Sequence, residues 1–214
     1  MDYRLSNIIK DEMPTKQKIM IYALDMFNSK GYSETTIRDI ALAVGITSGS
    51  IYSHFSSKEE LLQSMLNDYT ERTKNLFFRI DIKPILQENP TGEGISMCIE
   101  AGVKVLSTDV YYANLVHLIH QEQHRIPICG ALVLLRLKDT MEFVDSIFDV
   151  LKEMNVIKAD TSSEYWGFYT YSVLHFLPTC QALHRVQNSQ GYGIIDSSSM
   201  LSNMFDAMLI MNKP

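Results

Sequence analysis

The pattern of apolar and polar positions predicts helices along nearly the whole chain, with no convincing strand alternation and no internal repeat. The spacing predicts a first helix that begins at Pro14 or Thr15 and ends near Lys30, where Gly31 provides a left-handed stop. One face of this helix carries apolar residues at helical spacing, namely Ile19, Ala23, Met26 and Phe27. The fold class predicted from this pattern is all-α.

Start and stop signals divide the next stretch into three further helices. A second helix is predicted to begin at Thr36, with Asp39 at capping-box spacing, and to end at Gly45. A third begins at Thr47 or Ser48. A fourth begins at Ser57, where Glu60 forms another capping-box pair, and is expected to run towards residue 80.

A seam is predicted at "DIKPILQENPTGEG" (81–94), because two prolines and two glycines fall within it. Beyond it we expect helices near 93–107, 109–124, 127–155, 161–189 and 196–212. The residues Thr161 and Glu164 have capping-box spacing at the start of the fourth of these, and Pro178 should kink it. The predicted domains are 1–58 with a linking helix 57–80, and 81–214.

The second and third helices are joined by a tight turn at Gly45, which is typical of a helix-turn-helix. Apolar residues in and beside both helices are predicted to pack on the first helix, namely Ile37, Ile40, Ala41, Ile46, Ile51 and Phe55. The outward face of the third helix then has no charge and only one large side chain, so it is slim enough to enter a major groove of roughly 12 Å. The outward residues are Thr47, Ser48, Gly49, Ser50, Tyr52 and Ser53.

Contacts to phosphate are expected at the flanks of this tip. The starts of the second and fourth helices, marked by Thr36 and Lys58, offer free backbone N–H groups. Arg38, Tyr52 and His54 can donate to phosphate oxygens, while residues 47–50 would contact base edges. The alternative is an ordinary helical bundle whose polar face is solvated and whose hydroxyl groups only cap helices.

Residues 15–62, about a quarter of the chain, resemble the DNA-binding domain of the TetR family of transcriptional regulators. The resemblance implies a homodimer in which each subunit has a three-helix helix-turn-helix head, a linking fourth helix and a larger carboxy-terminal helical domain that binds a small effector and dimerises. Many relatives have a basic residue or proline at the position of Ser48. The matching residues are Phe27, Gly31, Tyr32, Thr36, Ile40, Ala41, Gly45, Ile51, Tyr52, His54, Phe55, Lys58, Glu59, Glu60 and Leu61.

Composition is that of an ordinary globular protein, with 46% hydrophobic and 21% charged residues. The net charge of −6 is unevenly distributed, since residues 1–58 carry +1 and the remainder carries −7. The amino terminus does not have the pattern of a signal peptide, and no apolar run reaches the roughly 20 residues of a membrane span. Three scattered cysteines, Cys98, Cys129 and Cys180, indicate reduced thiols. We therefore expect a cytoplasmic protein with no membrane partner.

The last two predicted helices have the pattern of an association surface. The helix at 161–189 is apolar and aromatic nearly all round, so it needs cover on every side. The last helix has an apolar stripe. Both features predict a homodimer through these two helices, with a monomeric core as the alternative. The stripe consists of Met200, Leu201, Met204, Phe205, Met208 and Leu209.

Aromatic, methionine and histidine side chains of the carboxy-terminal part could line a pocket for a hydrophobic or aromatic organic effector. Three histidines, at 117, 120 and 124, share one predicted helix face, but they span too great a length to bind one metal ion together. The chain lacks the common catalytic motifs, so no catalytic residue, metal or cofactor is predicted. The predicted effector residues are Tyr111, His117, His120, Met141, Tyr171 and His175.

The sequence thus predicts a ligand-responsive transcriptional regulator that binds a palindromic operator in double-stranded DNA. Repression is the usual mode of the family that the head resembles, and activation is left open. The alternative is a helical scaffold or small-molecule-binding module without specific DNA binding, which the acidic carboxy-terminal part permits. An enzyme with a helical body is the third possibility, and no motif favours it.

Overall fold

The computed structural model describes residues 5–74, 79–107, 109–174 and 197–214, and the regular structure within these ranges is helical. A 3-10 helix at Leu5–Ile8 precedes the α-helices. The α-helices, numbered in chain order, are α1 Thr15–Lys30, α2 Ile37–Val44, α3 Ser48–Tyr52, α4 Lys58–Thr73, α5 Ile82–Glu88, α6 Gly92–Ser107, α7 Val110–Glu122, α8 Pro127–Glu153, α9 (helical at 164–174) and α10 Ser197–Met211.

The predicted all-α fold is confirmed, and the ends of the first helix lie where local signals placed them. Pro14 occupies the N-cap position of α1, and Gly31 follows its last residue with a φ of +93°. A side chain at position 31 would be strained in that conformation. The predicted face of α1 is buried at Ile19, Ala23 and Phe27, while Met26 is half-buried.

Two helix boundaries beyond the head differ from the predictions. The fourth helix ends at Thr73 rather than near residue 80. The predicted seam contains a helix, α5, whose N-cap is Asp81. Pro84 is tolerated there because it lies in the first turn, where backbone N–H groups have no intrahelical partner.

The predicted capping box between Thr161 and Glu164 is wrong. Helix α9 starts at residue 164, three residues after Thr161. The Thr161 side chain is buried, and its hydroxyl donates to Oδ1 of Asn212 at 3.5 Å. The hydroxyl of Ser162 accepts from the Glu164 N–H instead. The predicted kink at Pro178 lies outside the described residues.

Contacts divide the chain into two compact units that differ from the predicted domains. Unit 1 comprises residues 1–74 and 104–134, so it includes α7 and the start of α8 as well as the head. Its core joins apolar residues of α1 and α4 to Tyr112, Leu115 and Leu118 of α7. The head core is therefore completed by a segment far along the chain.

Unit 2 comprises residues 75–103 and 135–214. Its core is formed by α5, α6, α9, α10 and the later part of α8. The apolar stripe on α10 is largely buried within this core, where Leu201, Phe205 and Met208 are almost completely inaccessible to solvent. This stripe therefore does not need a second chain to cover it.

In the described residues, no helix combines the length and the apolar character needed to cross a membrane.

Helices α6 and α10 are in close contact at Gly92. The Gly92 N–H donates to Oδ1 of Asp206 at 2.7 Å, so a side chain of α10 caps the first turn of α6. A Cβ atom at position 92 would lie 2.0 Å from the carbonyl oxygen of Ser202. Only glycine allows this contact, because backbone atoms cannot move aside as a flexible side chain can.

We predict that Gly92→Ala lowers the free energy of unfolding by about 1–3 kcal/mol, the usual cost of overpacking. Gly49→Ala is the matched control, because its Cβ would meet only Oγ1 of Thr47, at 3.7 Å. That control should be neutral or slightly stabilising, since alanine favours helix over glycine. Thermal denaturation followed by circular dichroism checks both, and equal melting temperatures for the two variants would contradict the prediction.

Candidate nucleic-acid interface

The turn between α2 and α3 has the geometry that the sequence predicts. Gly45 adopts the left-handed conformation, with φ +79° and ψ +32°, and its N–H donates to the carbonyl of Ala41. Thr47 then caps α3 by accepting from the Ser50 N–H at 3.2 Å. Ile51 and Phe55 are fully buried in the unit 1 core, which fixes the rotation of α3 about its axis.

The predicted DNA-binding side chains lie on the surface of the head. Thr36, Arg38, Thr47, Gly49, Tyr52 and His54 are exposed, and Ser48, Ser50 and Lys58 are half-buried.

Several of these residues meet at a cleft of about 510 Å³, here called the head cleft. The starts of α2 and α4 and the outer side of α3 surround it, so two helix N-termini and the third helix face the same space. Such termini favour negatively charged groups. The residues that line the head cleft are Ser33, Thr35, Thr36, Ile37, Arg38, Ser48, Tyr52, Ser56, Ser57, Lys58 and Glu59.

The predicted capping box of α2 is present. The Asp39 N–H donates to Oγ1 of Thr36 at 3.2 Å, and the Thr36 N–H donates to Oδ2 of Asp39 at 3.0 Å. The Thr36 hydroxyl also donates to this carboxylate, at 2.8 Å. These hydrogen bonds stabilise the charged form and lower the pKa of Asp39.

The capping pair of α4 is only partly as predicted. Ser57 accepts from the Glu60 N–H at 3.1 Å, but the Glu60 carboxylate passes over Ser57 and binds Ser56. Both the N–H and the hydroxyl of Ser56 donate to Oε2 of Glu60 at 2.6 Å, and these bonds lower the pKa of Glu60. This arrangement orders the backbone on one side of the head cleft.

Hydroxyl groups on α3 are already engaged within the helix. The hydroxyls of Thr47 and Ser50 are hydrogen-bonded to each other at 2.9 Å. The Ser53 hydroxyl donates to the Ser50 carbonyl at 2.7 Å. These three side chains hold the tip of α3 in shape, and Ser48 and Tyr52 are the residues of α3 that line the head cleft.

The structure gives Lys58 a use that the sequence did not reveal. Its ammonium group donates to the carbonyls of Tyr32, Ser33 and Thr35 at 2.8, 3.4 and 2.9 Å. The same nitrogen lies 4.4 Å from the centre of the Tyr32 ring, within range of a cation–π contact. Lys58 thus holds the α1–α2 loop (residues 31–36) against the start of α4.

The predicted effector residues fall into different parts of the fold. Tyr111, His117 and His120 lie on α7 in unit 1, whereas Met141 and Tyr171 belong to unit 2. His175 lies outside the described residues. The three-histidine face is wrong, because α7 ends at Glu122 and His124 lies in the following turn.

Burial changes the ionisation of the α7 side chains. It lowers the pKa of His120, and the neighbouring His117 lowers it further. The pKa of His117 is lowered by burial too, although part of this residue remains exposed. The Tyr111 hydroxyl is buried without a hydrogen-bond partner, and burial raises its pKa strongly. Neutral imidazoles are therefore the expected forms at pH 7.

Glu122, the last residue of α7, is not among the residues to which the sequence assigned a function. Its side chain is only 2% exposed, and it shares the apolar face of α7 with Leu115, Leu118 and Ile119. A carboxylate placed at i, i+3, i+4 and i+7 spacing with three core residues is the signal that could have revealed it. Among the described residues, no group of three or more histidine, cysteine, aspartate or glutamate side chains could hold a metal ion.

Comparison with known proteins identifies the head. The model of bacterial regulatory proteins of the tetR family matches residues 19–65. The repressor KstR2 of Mycolicibacterium smegmatis, described as an HTH-type transcriptional repressor, is 41% identical over 56 residues, which cover 26% of this chain and 27% of that protein. The uncharacterised HTH-type regulator YuxN of Bacillus subtilis is 42% identical over 72 residues, or 33% of this chain and 25% of that protein. The matched segments thus span about a quarter of these relatives.

Solved structures share the fold over nearly the whole chain. GusR of Salmonella enterica has a TM-score of 0.60 at 19% identity, covering 94% of this chain and 98% of that one. The fatty acid degradation regulator FadR of Bacillus halodurans has a TM-score of 0.59 at 18% identity, covering 94% and 97%. These two curated relatives are described as transcriptional regulators. Residues 19–65 of the head thus match the tetR family of bacterial regulatory proteins, and beyond the head the solved structures share the fold.

Proposed function

We propose that this protein is a ligand-responsive transcriptional regulator, most simply a repressor, that acts in the cytoplasm. It binds a palindromic operator as a homodimer and is released by a small hydrophobic or aromatic effector. The observation that carries this proposal is the head cleft, where the starts of α2 and α4 face the exposed side of α3.

The chemistry of α3 supports insertion into a major groove. Its exposed groups are small or uncharged, so they can approach bases without charge repulsion. Packing does not demand glycine at position 49, since a Cβ there would make one ordinary contact. Close approach of the α3 backbone to DNA supplies a reason for this glycine. Tyr52, which is 54% exposed, is the largest group available for contact.

Phosphate binding is assigned to the rim of the head cleft. Arg38 lies exposed in the first turn of α2, next to the free N–H groups of that helix. The N-terminus of α4 is the second anchor, as the sequence predicts. The sequence predicts a phosphate contact for Lys58, but its ammonium donates to three backbone carbonyls. Its main role in the proposal is to set the distance between the two helix starts.

The homodimer is proposed to use the exposed face of α9. Tyr165, Phe168 and Tyr169 are exposed aromatic side chains on this helix, while Trp166 packs inward on Phe205. Ile210 and Met211 at the end of α10 are exposed as well. Burial of several such side chains between two copies would stabilise the dimer.

The effector is proposed to contact α7, where neutral histidines can orient a ligand by hydrogen bonds. Effector binding would favour a state in which the two heads no longer fit grooves one helical turn, roughly 34–36 Å, apart. The effector must bind this state more tightly than the DNA-bound state for release to follow.

Specific DNA binding is tested with duplexes selected from a random library by the wild-type protein. We predict that Tyr52→Ala weakens binding to a selected duplex by about 10- to 100-fold, because one good base or phosphate contact contributes about 1–3 kcal/mol. Met97→Ala, which truncates an exposed residue of unit 2, should bind as wild type does. Fluorescence anisotropy measures both. If the wild-type protein binds selected and scrambled duplexes equally, the scaffold or ligand-binding alternative is favoured.

Replacing Arg38 or Lys58 with methionine is predicted to have different effects, the first on DNA binding and the second on stability. Arg38→Met should leave the melting temperature unchanged and reduce the slope of log affinity against log salt by about one per head. Lys58→Met should lower the free energy of unfolding by about 1.5–3 kcal/mol, because three carbonyls lose a charged donor. Thermal melts and salt titrations of DNA binding check this, and equal melting temperatures would contradict the role given to Lys58.

The dimer surface is tested by placing a charge on it. Phe168→Asp should shift the protein from dimer to monomer in sedimentation equilibrium, because a carboxylate would be buried without a partner. Met97→Asp is the control, since Met97 is 50% exposed and Phe168 is 58% exposed within the same unit. A dimer that survives Phe168→Asp with unchanged affinity would rule out the α9 face.

A further inference from the structure

Glu122 is a buried carboxylate in an unfavourable place. Oε1 accepts from the Tyr32 backbone N–H at 3.2 Å, whereas Oε2 is buried without a hydrogen-bond partner. Among the described residues, Glu122 has an ion pair with Arg125, whose Nη1 lies 4.0 Å from Oε2 and whose side chain is mostly exposed. Glu122 also ends α7, where the helix dipole disfavours negative charge. A contribution to the stability of the fold therefore does not explain why a glutamate occupies this buried position.

Tyr32, the partner of Glu122, connects three helices. Its ring packs edge-on against Phe27 of α1, with centres 5.1 Å apart. Its carbonyl accepts from Lys58 of α4, and its hydroxyl donates to Oε1 of Glu59 at 3.4 Å. The N–H to Glu122 adds α7 to this junction.

The loop that contains Tyr32 sets the position of the head cleft. Thr35 is fully buried, and its hydroxyl donates to the carbonyl of Gly31 at 2.9 Å. Lys58 holds the Thr35 carbonyl at 2.9 Å, directly before Thr36, the N-cap of α2. A shift of Tyr32 is therefore passed to the starts of both α2 and α4, which line the head cleft.

We propose that Glu122 is the positioning residue through which α7 controls the affinity of the head for DNA. Its carboxylate fastens the α1–α2 loop to α7 and preorganises the two helix starts. Movement of α7, such as an effector bound along this helix would cause, then loosens the head cleft. The control of DNA affinity rests on the proposed function, whereas the fastening of the loop does not.

The experiment compares three substitutions on α7 in the full-length protein. Glu122→Met removes the acceptor at similar volume, Glu122→Gln keeps a carbonyl acceptor, and Asn114→Leu is the matched control. Asn114 makes a different polar contact from α7 to α1, since Nδ2 of Asn28 donates to its side-chain oxygen at 3.2 Å. Thermal melting, amide hydrogen exchange without DNA, and affinity for a duplex selected by the wild-type protein are measured for each.

Glu122→Met should keep or raise the melting temperature, because a buried carboxylate with one hydrogen bond and one long ion pair to an exposed arginine is lost. The same substitution should speed hydrogen exchange of the Tyr32 amide by about tenfold or more, because this N–H loses its acceptor. It should also weaken binding to the selected duplex by at least about tenfold, because the loop must then be ordered when DNA binds. Glu122→Gln should stay within about threefold of wild type in both measurements, and so should Asn114→Leu.

The proposal is overturned if Glu122→Met leaves Tyr32 exchange unchanged, if it strengthens DNA binding, or if Asn114→Leu weakens binding as much. A wild-type protein that selects no duplex would overturn the proposed function and with it the control of DNA affinity. In that case the exchange measurement would still show whether Glu122 fastens the loop, so the two failures are distinguishable.

Discussion

Burial of Ile51 and Phe55 in the unit 1 core is the constraint on which the head depends. Helix α3 has only five residues, far too few to be stable alone, so tertiary packing must hold it. These two side chains fix which side of α3 faces outward. If they were displaced, Ser48 and Tyr52 would no longer share one side with the starts of α2 and α4, and the head cleft would be lost.

Features encoded by neighbouring residues could be predicted from the sequence. The cap at Thr36, the left-handed turn at Gly45 and the start of α4 after Ser57 each depend on residues within three or four positions. The same reasoning placed Ile51 and Phe55 in the core. It failed at Thr161, because the side chain of that threonine is directed at Asn212, about fifty residues away in the chain.

Features that depend on distant partners could not be predicted. In the sequence, a lysine at a helix start predicts phosphate binding. Only the fold brings three backbone carbonyls around the Lys58 ammonium. The stripe of α10 was equally ambiguous, since helical periodicity identifies a buried face without saying which chain covers it. In the structure, Leu201, Phe205 and Met208 are covered by unit 2 itself. The exposed aromatic face of α9 therefore becomes the better candidate for association.

The core of unit 1 is built from two stretches separated along the chain, and this has a consequence for modularity. Tyr112, Leu115 and Leu118 of α7 pack into the same core as α1 and α4. A fragment that stops at residue 74 would leave the surfaces beneath these side chains open to water and would lose the Glu122 contact to Tyr32. Residues 1–74 fused alone to another protein would therefore expose apolar surface and be prone to aggregate. Their α1–α2 loop would also lack the hydrogen bond to Glu122. A chimera that carries residues 104–134 along with residues 1–74 would keep the unit 1 core complete.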